Sequence, residues 1–350
     1  MNRKDHLSKA IAAFLIALTL LMPVQVFALE EAGVTFDESQ YRVLRSRTVT
    51  PRKIRNVNLR KKIKEGYNGY SVVQGGCTDG KYAYYLMVSS KTQKGRVLKM
   101  RLKDRKVIKR SKVLRILHGN GMAYDSRRKC LVVVAREERR QELTVISAKT
   151  LKVLKRRDVK YSNGCISKLH RKQGLAAIAY NRKYDCYIAL ERVYHNLLIF
   201  DPETFQAIGM ARTAISAKYP ATYQAMDADD KYVYLLLSKS KVDPKEQPYN
   251  LIVALDWNSE KLLPSVNAGK GEPRYIKRSW ACNNDGSGRP DAVIRLKNKH
   301  EAENIFHTTG SSGKEHFYLA EYYDHPKYRK GTKKVRYLRR ENYIYDLGII

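Results

Sequence analysis

Gln74-Gly75-Gly76-Cys77-Thr78-Asp79-Gly80-Lys81-Tyr82-Ala83-Tyr84 aligns without a gap on Gln224-Ala225-Met226-Asp227-Ala228-Asp229-Asp230-Lys231-Tyr232-Val233-Tyr234. Both copies read Gln, four residues, Asp, one residue, Lys-Tyr, one residue, Tyr, and both run on into apolar sequence. A chain that repeats a phrase in this way is built from stacked units, each of which must bury its apolar face against the next. The repeat constrains the fold more than any single residue does.

Between and beyond the copies, the same order recurs: strand, polar turn, strand, loop, strand, turn, strand. The first unit holds Val72-Val73, the Asp79-Gly80-Lys81 turn, Tyr82 to Val88, and Arg96 to Leu102, whose alternation is that of a half-exposed strand. The second opens at His118-Gly119-Asn120-Gly121 and continues through Cys130 to Ala135 and Leu143 to Ile146. The third holds Gly174 to Tyr180, Cys186 to Leu190, Leu197 to Phe200 and a closing turn at Asp201-Pro202-Glu203-Thr204, where Pro presets φ and Asp caps. The fourth contains the second Gln/Lys-Tyr copy and Leu251 to Leu255. The fifth contains Glu301 to Phe306, His316 to Ala320 and Tyr343 to Leu347. Five units of four short strands predict an all-β chain, a β-propeller of five four-stranded blades spanning 67–350. Residues 266–290, with an Asn/Gly/Ser-rich stretch, read as an insertion before the last blade, and residues 29–66 as an N-terminal arm or leading strand.

Residues 1–28 read separately. Arg3, Lys4 and Lys9 form a basic start, Ala10 to Val24 is almost wholly apolar, and Val26-Phe27-Ala28 offers small residues where a signal peptidase cuts. This is the pattern of a cleaved secretory signal peptide, with no later apolar stretch long enough to span a bilayer. The expected location is secreted or attached to the cell envelope.

The full chain carries a formal net charge of +34. Removing the leader's three basic residues and one acidic residue leaves about +32, a strong attraction for any polyanion. Nucleic acid is the usual reading of basic surfaces, but export and the scatter of basic residues over every segment argue against it. The densest basic segments are Arg52 to Lys64 and Lys327 to Arg340. In the second, Lys333, Lys334, Arg336, Arg339 and Arg340 interleave with Tyr328 and Tyr337, as a strip that pairs with phosphates and stacks on rings would. The two segments are expected to meet in one patch, since the ends of a propeller chain join in its closing blade.

The chain resembles exported propeller proteins of Gram-positive bacteria, similar to the propellers of teichoic-acid biosynthesis and phage receptor-binding proteins. The likeness rests on Gln74 to Tyr84, His118 to Tyr124 and Glu301 to Phe306, and covers roughly residues 68–350. It departs from the family's pattern at Gly121, where Asp is commoner. What the resemblance implies is a propeller facing a carbohydrate or wall polymer.

In such a fold Gln74, His118, Asn120, Gln224 and Glu303 stand near the starts of inner strands, where amide, imidazole and carboxylate groups would read sugar hydroxyls. The competing reading is that these groups bridge blades, as buried polar groups must find partners. The function expected is a non-catalytic binder of an anionic cell-envelope polymer or carbohydrate. The alternative is a glycan-cleaving enzyme using Glu301 or Glu303, which stand two apart on one strand and so point the same way. Five cysteines with no CxxC pair and no Cys/His cluster predict buried thiols rather than a disulfide framework, and neither metal nor cofactor is expected. The oligomeric state is not legible.

Overall fold

A computed structural model of the chain describes residues 46–49, 52–53, 72–89, 92, 94–135, 141–161, 174–192, 197–213, 222–239, 249–256, 277–280, 292–296, 301–309, 315–328 and 335–349. All of these belong to the unit Arg42–Ile350, and the leader and most of the arm lie outside them.

Two short strands come first, β1 (Ser46–Val49) and β2 (Arg52–Lys53). Blade 1 is β3 (Val72–Thr78), β4 (Tyr82–Val88), β5 (Lys94–Arg101) and β6 (Lys106–Arg110), with β7 (Leu114–Arg115) also pairing β5. Blade 2 is β8 (Gly119–Asp125), β9 (Cys130–Ala135), β10 (Glu142–Ser147) and β11 (Val153–Asp158). Then comes β12 (Lys160–Tyr161), and blade 3 follows as β13 (Leu175–Asn181), β14 (Cys186–Glu191), β15 (Leu197–Phe200) and β16 (Gln206–Thr213). Blade 4 starts with β17 (Thr222–Ala228), β18 (Tyr232–Lys239) and β19 (Tyr249–Asp256). After β20 (Lys277–Trp280) it is completed by β21 (Ala292–Leu296). Blade 5 is β22 (Glu301–Thr309), β23 (Glu315–Tyr328) and β24 (Val335–Ile349), with β2 as its fourth strand. The inner strands β3, β8, β13, β17 and β22 neighbour one another in that order, and β22 returns to β3. The protein is an all-β, five-bladed β-propeller.

The gapless repeat now has a local cause. Asp79 Oδ1 accepts from the backbone N–H of Lys81 (3.0 Å) and Tyr82 (2.7 Å), and its Oδ2 accepts from the Tyr84 hydroxyl (2.7 Å). Asp229 does the same with Lys231, Tyr232 and the Tyr234 hydroxyl at 2.6, 2.5 and 2.6 Å. The carboxylate closes the turn and the tyrosine pins it to the second strand. Both aspartates therefore cap turns.

The apolar residues lie between blades rather than within them. Tyr84, Leu86 and Val97 of blade 1 pack on Met122, Leu131 and Val133 of blade 2. Blade 2 meets blade 3 through Val132, Val134, Ile178, Tyr187 and Phe200. At the closing seam Tyr85 meets Phe306 edge-on, with ring centroids 5.7 Å apart, beside Val73, Met87 and Ile344. Each such side chain, once buried, contributes about 1.5–3 kcal/mol, so the ring is held by the sum of its seams.

Strands added from elsewhere in the chain finish three blades. β1 pairs β21 in parallel on blade 4, β12 and β20 both pair β16 in parallel on blade 3, and β2 pairs β24 antiparallel on blade 5. The segment read as an insertion thus supplies Lys277–Trp280 to blade 3, while its Asn/Gly/Ser-rich stretch lies outside the described residues. The chain ends do meet in blade 5, where Arg52 and Lys53 pair with Asp346 and Tyr345. The rest of the N-terminal basic run lies outside the described residues. Among the described residues no helix is long and apolar enough to cross a membrane.

Cys130 and Cys186 open β9 and β14 at equivalent places, and both, with Cys77, are free buried thiols. Burial pushes all three up from the ordinary thiol range, Cys130 to about 11. The thiolate is the nucleophile, so iodoacetamide at pH 8 should leave these three unlabelled in the native protein. Peptide mass mapping should show full labelling only after unfolding.

Candidate functional site

Every inner strand carries a β-bulge at the same level, near its start. Pairing with the second strand skips one residue between Val73 and Gly75, Gly119 and Gly121, Leu175 and Ala177, Tyr223 and Ala225, and Ala302 and Asn304. The extra residues are Gln74, Asn120, Ala176, Gln224 and Glu303. A bulge re-aims one side chain and frees its backbone from the ladder, and here it does so five times around one axis. Four of the five residues singled out from the sequence as ligand-binding therefore occupy one structural position. The fifth such position is held by Ala176, which its sequence does not flag because alanine carries no polar group.

All five bulge residues are buried. Gln74 Nε2 donates to Glu303 Oε2 at 3.1 Å, joining blades 1 and 5. Gln224 Nε2 donates to Glu301 Oε1 and joins blades 4 and 5. Asn120 Nδ2 donates to the Ala176 carbonyl and joins blades 2 and 3. Each of these amides thus reaches across a seam. A hydrogen bond to a carboxylate contributes about 1.5–3 kcal/mol net, so the ring fastens the blades. His118 stands apart: it precedes β8, is half-buried, and has a positive φ of 53°.

Glu301 and Glu303 do not act as a pair pointing the same way. The bulge at Glu303 breaks the twofold alternation of the strand, and the two carboxylates reach opposite neighbours, Glu301 toward blade 4 and Glu303 toward blade 1. The expectation of parallel side chains assumed a regular strand.

The residues after the bulges are Gly75, Gly121, Ala177, Ala225 and Asn304. They are small because the inner strands nearly touch: a Cβ on Gly121 would lie 2.8 Å from Ala177 Cα, and one on Gly75 3.0 Å from the Met122 nitrogen. This explains why Gly stands at 121. Asn304 is the exception. It is buried, its Nδ2 occupies the space above Gly76, and no acceptor for that amide is found among the described residues.

At the opposite ends of the inner strands lies a second set of bridges with no sequence forewarning. Asp227 Oδ2 accepts from the His307 backbone N–H at 2.7 Å and lies 2.7 Å from its Nδ1. Arg128 of blade 2 reaches Asp125 (3.0 Å), Asp185 (2.8 Å) and Glu203 (2.8 Å). Its guanidinium holds the Asp185 carboxyl below the ordinary range. Among the described residues no group of His, Cys, Asp and Glu could hold a metal ion.

No protein-family model matches the chain, and no curated protein matches it. Solved structures do show a likeness. The chain is similar to U3-55K at 10% identity and a TM-score of 0.41, covering 81% of this chain and 97% of that one. It is similar to Kuenenia stuttgartiensis hydrazine synthase at 11% identity and a TM-score of 0.36, covering 80% of this chain but only 64% of that one, less than two thirds of its length. It is also similar to the beta-propeller domain of Myceliophteria thermophila Cps50 (Swd1), at 11% identity and a TM-score of 0.36, over 79% and 96% of the two chains. None of these likenesses bears on what this chain binds.

The basic C-terminal strip forms a hairpin. β22 begins at Glu301, which pairs with Tyr322, but β23 and β24 stay paired beyond that point, from Tyr323↔Glu341 to Tyr328↔Val335. Lys327 pairs with Arg336, His325 with Arg339 and Asp324 with Arg340; Lys333 and Lys334 lie outside the described residues. The two-stranded ribbon runs past the start of its inner strand by roughly 20 Å, at about 3.3 Å per residue. It therefore rises from the face on which all five inner strands begin, the face nearest the ring of bulges.

Proposed function

We propose that the protein is an exported, non-catalytic binding propeller that holds an anionic cell-envelope polymer or glycan against the face where its inner strands begin. The observation that carries this reading is the ribbon of blade 5. It brings Lys327, Arg336, Arg339 and Arg340 into register on a segment that extends past its blade, in a chain of net charge +34. A ribbon of that composition attracts phosphates, and its tyrosines offer faces for sugar rings. The buried amides of the ring are engaged in bridging, which gives the ribbon the leading part in recognition. Gln74, His118, Asn120, Gln224 and Glu303 remain the candidate contacts at the channel mouth.

Sedimentation of the protein with purified wall fractions, with and without their anionic polymer, tests this. Binding should require the polymer and fall steeply with salt as counterions are exchanged. Replacing Lys333, Lys334, Arg336, Arg339 and Arg340 with Gln should weaken it and flatten the salt slope by up to about one for each phosphate-pairing cation removed. Equal binding by that variant at every salt concentration would show that the ribbon is only a solvated surface.

A further inference from the structure

Three of the five blades also carry a bulge in the pairing of their third and fourth strands. The extra residue is Ile108 in blade 1, between Val107 (opposite Met100) and Lys109 (opposite Lys99). It is Leu154 in blade 2 and Ile208 in blade 3. All three are aliphatic, although they stand on the fourth strands of their blades. In blade 3 an added strand runs beside this point: β12 pairs β16 at Gln206 and Ala207. There the bulge residue Ile208 is half-buried. In blades 1 and 2 no strand among the described residues pairs the outer edge of β6 or β11. Ile108 is 41% exposed and Leu154 61%, and with Val113 at 42% they make up the exposed large hydrophobic residues of the described chain.

The two open edges are also predominantly basic. Residues 104–113 contain Arg105, Lys106, Lys109, Arg110 and Lys112 against one acid, Asp104, and residues 152–158 contain Lys152, Lys155, Arg156 and Arg157 against one acid, Asp158. The edges are tied together, since Lys109 Nζ donates to the Lys149 carbonyl at 3.0 Å and Arg156 Nη2 to the Arg115 carbonyl at 2.9 Å. Lysine on an open edge by itself serves to repel other strands. An exposed aliphatic residue at the middle of each edge works against that purpose, and in blade 3 the same position lies beside an added strand. We propose that the outer strands β6 and β11 accept an extended, acidic segment of a partner protein as an added β-strand. The partner's main chain pairs with the open edge, an aliphatic side chain covers Ile108 or Leu154, and its carboxylates meet the flanking Lys and Arg side chains. This goes beyond the polymer reading and does not depend on it, because it requires a peptide backbone and uses different blades.

The test uses the whole chain and a synthetic ten-residue peptide alternating glutamate with valine, followed by fluorescence anisotropy. The peptide should bind, and should bind at least about tenfold more weakly when its backbone is N-methylated throughout or when lysine replaces glutamate. An Ile108→Asp/Leu154→Asp variant should bind the peptide about tenfold more weakly while keeping its thermal unfolding curve. Undiminished binding of the N-methylated peptide would reduce the interaction to charge and overturn strand addition. Failure of the glutamate–valine peptide to bind, or its unchanged affinity for the double variant, would overturn the proposal outright. So would self-association of the parent chain, seen by sedimentation and abolished in the double variant, because the edges would then belong to a second copy.

Discussion

Valine in place of Gly121 should destabilise the propeller by about 3 kcal/mol or more, the upper end of the range for overpacked cores. The added Cβ would meet Ala177 Cα at 2.8 Å and the Ile178 nitrogen at 3.0 Å. These are backbone atoms of the next inner strand, so relief requires β8 and β13 to separate, and with them the apolar seam between blades 2 and 3. Gly209→Ala is the control. Its Cβ would meet only the Ile199 side chain, at 3.3 Å and beyond, and that side chain can yield by a few tenths of an ångström. Its cost should stay below about 1 kcal/mol. Urea unfolding of both variants checks this: the midpoint of Gly121→Val should fall far below that of Gly209→Ala with the slope unchanged. Coincident midpoints would mean that the inner strands are not tightly apposed.

Asp125→Ala should be comparably damaging, at about 3 kcal/mol, because a buried hydroxyl and two turn N–H groups lose their acceptor. Asp125 is fully buried and accepts four hydrogen bonds, from the backbone N–H groups of Arg127 (3.0 Å) and Arg128 (2.8 Å), from Arg128 Nη1 (3.0 Å) and from the Tyr187 hydroxyl (2.7 Å). Without it the buried Tyr187 hydroxyl loses its acceptor and the turn before β9 loses its cap. Asp229→Ala removes a similar cap at a half-buried site with no cation partner among its bonds, and should cost only about 1–2 kcal/mol. Equal losses in the two variants would show that the Arg128 pairing adds nothing to the turn.

The same cluster sets an acid limb. Arg128 depresses the Asp185 carboxyl, so the folded state holds its proton less tightly than the unfolded chain does. That contribution is present above the ordinary carboxylate range of about pH 4 and is lost as pH falls through the lowered folded value. In Arg128→Ala the decline of stability on acidification should be shallower than in the parent, as circular dichroism melts across the acid range would show.

The sequence by itself determined the units and their turns. The apolar runs and the Asp-x-Lys-Tyr-x-Tyr phrase act over a few residues: the carboxylate of Asp79 or Asp229 closes its own turn, and the second tyrosine of the phrase, Tyr84 or Tyr234, pins it. Local chemistry of that kind is legible in one dimension, and five such units leave few ways to bury their faces except a closed ring. Gln74, Asn120, Gln224 and Glu303 were legible as a set because each is a polar residue at the head of an apolar strand. What they do was not. Only closure of the ring brings Gln74 to Glu303 and Gln224 to Glu301, residues far apart in the chain. Only the bulge, a consequence of packing five strands around a narrow axis, turns Glu301 and Glu303 toward opposite blades. The tertiary structure likewise decided that β21, after a long detour, completes blade 4 and that β2 completes blade 5, because an outer edge takes whichever strand the chain can deliver to it. It also decided which outer edges remain open, and so where Ile108 and Leu154 meet solvent.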